Sequence, residues 1–67
     1  MSQQTDHDAR DDIARELMTC SELLADEGNE TDSRKAWTDA ARVVNCEVSI
    51  NVGIKLICRY ENLLEGV

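Results

Sequence analysis

Three cysteines, one histidine and fourteen carboxylates are the groups in this 67-residue chain that could do chemistry. A cysteine becomes a nucleophile when a nearby imidazole takes its proton. The single imidazole, His7, stands between Asp6 and Asp8 close to the start of the chain. A general base needs fixed geometry, and that position offers little. Cys20, Cys46 and Cys58 are separated by 26 and 12 residues, which matches no zinc-finger spacing. Their odd number and the lack of any CxxC pair argue against a disulfide scaffold. All three lie among apolar residues, so reduced thiols packed in the core as small hydrophobes are expected.

Other chemical motifs fail on inspection. The run EGNETD at residues 27–32 has the look of a calcium loop, but Gly28 is misplaced and the twelfth-position acid is missing. No glycine-rich phosphate loop and no GxSxG elbow occurs. The expectation is a protein that is not an enzyme and carries no metal and no cofactor.

Charge is the strongest signal. The net charge is −7. Residues 1–32 carry ten acids against Arg10 and Arg15, a balance of −8. Residues 33–67 carry four acids against five bases, a balance of +1. Phosphate neutralisation needs a basic patch, so direct nucleic-acid binding is not expected. Anionic membranes are disfavoured for the same reason. A protein partner with a basic surface would be attracted by this field. An acidic surface also keeps a small protein soluble, which is the plainer use of the same charge.

The elements that hold these groups follow from periodicity. Ile13, Leu17, Cys20 and Leu24 fall within about 60° of one another on a helix. They predict a first helix over about 7–26, capped at Thr5 or Asp6 with Thr5-x-x-Asp8 as a capping box. Asp8, Asp11, Asp12, Glu16, Glu22 and Asp26 project over its other side, the expected partner-binding face. Gly28 can take the left-handed conformation that ends a helix. Asp32 or Ser33 would cap the next one. Ala36, Trp37, Ala40, Ala41, Val44 and Val48 then form a second stripe. Trp37 is expected in the core against Leu17 and Leu24; the alternative is a contact point for a partner, where Trp is enriched.

Residues 44–56 read two ways. Val44, Cys46, Val48, Ile50, Val52, Ile54 and Leu56 alternate with mostly polar residues, which suggests a strand and an α+β fold. The favoured reading is all-α: an antiparallel helical hairpin whose long second helix kinks at Ser49–Gly53. Its later half would offer Ile50, Ile54, Ile57, Tyr60 and Leu64 to a second subunit, or to core packing, before Gly66 ends it. One domain spans 1–67, with residues 1–5 a flexible tail. A chain this short buries only about 60% of its unfolded surface. With one Trp, one Tyr and no Phe, its core is thin, so a homodimeric bundle is expected.

The longest run without a charged residue is Val48 to Ile54, too short to span a bilayer. The acidic, polar start resembles no targeting peptide, so the expected location is cytoplasmic. In size, lack of an enzyme motif and the acidic run TDHDARDDIARE, the chain resembles small inhibitors encoded by bacteriophages, of the anti-activator and anti-CRISPR type. That resemblance implies a small acidic regulatory protein that binds and inhibits a larger host protein, such as a transcription regulator or another nucleic-acid-handling protein. The competing expectation is a structural oligomerisation module. A helix-turn-helix repressor would use the small basic stripe of Arg34, Lys35 and Arg42, against the overall charge.

Overall fold

A computed structural model describes residues 5–65. It has three helices: α1 (Thr5–Asp26), α2 (Glu30–Val44) and α3 (Ile50–Glu65). Among the described residues there is no strand, and no helix is long and apolar enough to cross a membrane. The body measures 41 × 18 × 15 Å. α1 packs against both other helices, more extensively against α2. Ile13, Ala14, Leu17, Cys20 and Leu24 of α1 meet Ala36, Ala40 and Val43 of α2 and Tyr60 of α3. Val48, Ile50, Leu56, Ile57 and Leu64 close the edges of this core.

The first helix stops as its residues dictate. Gly28 has φ +84°, Asn29 N–H donates to Leu24 C=O at 2.8 Å, and Gly28 N–H donates to Ala25 C=O at 3.0 Å. This is a Schellman stop, which uses the left-handed residue to satisfy two orphan carbonyls. Thr5 is the first residue of α1 and Asp6 lies inside it, so neither is the cap; residues 1–4 of the expected tail lie outside the described residues. α2 starts at Glu30, with Asn29 ahead of it and no side-chain cap bond. Asn29 Nδ2 instead donates to Asp32 Oδ2 at 2.9 Å. Ser33 does not cap either: its hydroxyl bonds Ser21 on α1.

The long second helix is corrected to two helices. The chain repeats the Schellman stop at the end of α2, with Cys46 at φ +62° in the left-handed position. Cys46 N–H donates to Val43 C=O at 3.1 Å and Glu47 N–H to Arg42 C=O at 2.8 Å. Ser49 stands just ahead of α3, its Oγ accepting from Val52 N–H at 3.2 Å. The alternating stretch is not a strand. Val48 and Ile50 flank the loop and lean on the core, whereas Val52 and Ile54 point outward from α3. Apolar loop anchors and outward side chains together mimic a period of two. Gly66, the expected terminator of α3, lies outside the described residues.

Arg10 ties the break to α1. Its Nη1 donates to Val43 C=O at 2.9 Å and to Val48 C=O at 2.8 Å. One guanidinium thus holds the last turn of α2 and the end of the connection to α3. Its Nε lies 3.5 Å from Asp6 Oδ2, an ion pair without a hydrogen bond.

Candidate functional site

α1 buries one stripe and leaves its acids in solvent. Asp8, Asp11, Asp12, Glu16, Glu22 and Asp26 are all exposed. Among the described residues the one ion pair is Arg10 with Asp6, so none of the six is paired with a described base.

Trp37 is not in the core. It is 56% exposed, while Leu17 and Leu24, its expected neighbours, are fully covered. Ala36 and Ala40 take the contact with α1 and are themselves buried. At 100° per residue, Trp37 falls to the side of that contact. There it lines a shallow groove of about 210 Å³ on the α1–α2 seam, with Ala14 and Met18 of α1 and Ala41 and Val44 of α2. A second hollow of about 160 Å³ continues the seam, lined by Met18, Ser21, Glu22 and Trp37. Met18 and Trp37 belong to both hollows, and Glu22 belongs to the acidic face. The apolar groove therefore abuts one acid of that face, Glu22.

A family model described as a domain of unknown function, DUF7273, matches residues 2–66. The chain belongs to the DUF7273 family. No curated protein and no solved structure matches it.

In this DUF7273 chain the α3 residues do not form a free apolar face. Ile50, Ile57 and Leu64 are half-buried against the chain's own core, and Tyr60 is inside it at 4% exposure. Ile54 alone of the five stands out, beside exposed Val52. Tyr60 Oη donates to Asp39 Oδ2 at 2.6 Å. Burial, that hydrogen bond and the charge of Asp39 hold the phenol well above its ordinary range.

The cysteines also divide. Cys20 is buried, and burial, with the charges of Glu61 and Glu16, pushes its thiol up, away from the reactive thiolate. Cys46 and Cys58 are exposed, which corrects their expected place in the core: Cys46 serves the turn, and Cys58 lies on the solvent side of α3. His7 is exposed on the first turns of α1. Ala14 and Met18 are the groove residues that reading the sequence missed. Their signal was available: each lies beside a buried position, on the flank of a helical stripe.

Proposed function

We propose that this chain is a small, non-catalytic regulatory protein that binds a larger protein through the α1–α2 seam and blocks its basic surface. The observation that carries the proposal is the pairing of exposed Met18 and Trp37 in one groove that Glu22 rims. An apolar anchor residue would enter the groove, and flanking Lys or Arg would meet the acids. That is the chemistry of an amphipathic basic helix laid into a groove, with Trp and Met as adaptable contact area. The acidic field raises the encounter rate with such a partner. Proteins that handle nucleic acids present basic surfaces of this kind, which implies a cytoplasmic setting and an inhibitory outcome.

Trp37 is the only tryptophan, so its fluorescence reports the groove directly. Titration with a basic amphipathic helical peptide is expected to shift the emission to the blue and to saturate. The triple reversal Asp11→Lys, Asp12→Lys, Glu16→Lys is expected to weaken binding strongly at low salt. An unchanged emission spectrum, or equal binding by the triple variant, would sink the assignment. A second reading, a structural oligomerisation module, draws on Val52, Ile54 and Leu63, exposed along α3. It calls for self-association that survives the same charge reversal.

A further inference from the structure

Four of the chain's seven basic side chains, Arg34, Lys35, Arg42 and Arg59, line one cleft between α2 and α3. The cleft is a half-open hollow of about 580 Å³, within the usual size of small-molecule sites. In a chain with twice as many acids as bases, each cation has carboxylates to choose from. None of these four takes one: the single ion pair among the described residues is on α1. Against these four cations the cleft wall carries two acids, each accepting one hydrogen bond. Asp39 accepts from the Tyr60 phenol at 2.6 Å, and Asp32 from Asn29 Nδ2 at 2.9 Å.

The cations are also spread in a useful way. Arg34 and Arg42 sit two turns apart on α2, about 12 Å along the axis at 1.5 Å per residue. Thr38 lies between them with a hydroxyl donor, and Arg59 comes across from α3. A lone phosphate would reach one or two of these groups, whereas a chain of linked phosphates would reach them together. Arginine forks match phosphate oxygens in pairs. A long nucleic acid would have to run beyond the cleft over a chain of net charge −7, which repels it.

We infer that the α2–α3 cleft is a binding site for a compact oligophosphate, either inorganic or the phosphate tail of a nucleotide. The inference is independent of the α1–α2 groove and its partner.

The test titrates the full chain at low salt with inorganic triphosphate, adenosine triphosphate and a short DNA duplex, followed by amide chemical shifts. Saturable shifts are expected along the facing sides of α2 and α3. The variant Arg42→Gln with Arg59→Gln is expected to bind triphosphate roughly tenfold more weakly or worse, the loss of one or two charge-assisted hydrogen bonds. Arg15→Gln, an exposed base on α1, is expected to bind as the parent does. All these side chains are exposed, so both variants should keep the parent's circular dichroism. Tighter binding of adenosine triphosphate assigns a nucleotide, and equal binding assigns the phosphate chain alone. No saturable shift, an equal loss in Arg15→Gln, or a preference for the duplex would overturn the inference.

Discussion

Ser21 and Ser33 bond each other's backbone across the α1–α2 seam. Ser21 Oγ donates to Ser33 C=O and Ser33 Oγ to Ser21 C=O, both at 2.8 Å, with the two oxygens 3.0 Å apart. Ser21 is buried, so its hydroxyl has no water to fall back on. Serine is a mediocre helix former, and this pair holds two of them inside helices for a reason of registry. Alanine at either position gains some helix propensity but removes one of the two hydroxyl-to-carbonyl bonds. A net loss of about 1 kcal/mol is expected for Ser21→Ala or Ser33→Ala in urea unfolding. The double variant should lose about the sum of the two single losses, because each alanine removes its own hydroxyl's bond and leaves the backbone acceptor of the other in place. A loss far from that sum would show that the contact between the two hydroxyls dominates.

Arg10 has the larger effect on stability. Removing it strands the Val48 carbonyl just ahead of α3 and takes one of two donors from the Val43 carbonyl, which keeps the Cys46 N–H. Hydrogen bonds from a charged donor contribute about 1.5–3 kcal/mol each, and buried acceptors left alone add a penalty. Arg10→Met is therefore expected to lose about 2–4 kcal/mol, with faster amide exchange at residues 45–49. Loss spread evenly over the chain, with no excess at that connection, would assign Arg10 a merely electrostatic part.

Cys46 occupies a left-handed position that costs a side-chain-bearing residue roughly 1–2 kcal/mol. Gly28 takes the matching position after α1 without that cost. Cys46→Gly is thus expected to stabilise the chain by up to about 1 kcal/mol, and Gly28→Ala to destabilise it by a similar amount. Nothing lies within 4 Å of a Cβ built at Gly28, so its effect isolates backbone conformation from packing. A destabilised Cys46→Gly protein would mean that the thiol does more at the surface than cap a helix.

How far the sequence discloses this fold follows from the same residues. α1 was legible because Ile13, Leu17, Cys20 and Leu24 keep helical spacing and Gly28 marks the stop. The break between α2 and α3 was not, because cysteine stands where glycine normally signals a left-handed turn. Gly53 misled in the opposite sense, as a bend. It is buried within α3, and a Cβ there would lie 2.9 Å from Ile13 Cγ2 and 3.2 Å from Val43 Cγ2. Its service is close helix packing. The acidic face could be found by subtracting the buried stripe from α1. The groove could not, since a lone tryptophan is the natural core anchor and only the burial of Ala36 and Ala40 displaces it.

Alkaline pH should expose the Tyr60–Asp39 bond. The folded chain holds the Tyr60 proton more tightly than the unfolded chain, whose phenol titrates near 10. The bound-proton difference therefore favours the folded state, and its contribution is complete below that pH. As pH rises past 10, the unfolded phenol ionises first and stability falls. Cys20 acts with the same sign from about pH 9, since its buried thiol is also held up. Urea midpoints measured from pH 8 to 11 should thus decline, gently at first and more steeply beyond 10. Tyr60→Phe removes the phenol and leaves Asp39 without its donor, so it is less stable at neutral pH. Its decline should keep the early cysteine part and lose the later, steeper one. Tyrosinate absorbance of the folded parent should stay low until unfolding begins. Parallel declines in parent and variant would show that the phenol's proton is no better held in the fold than in water.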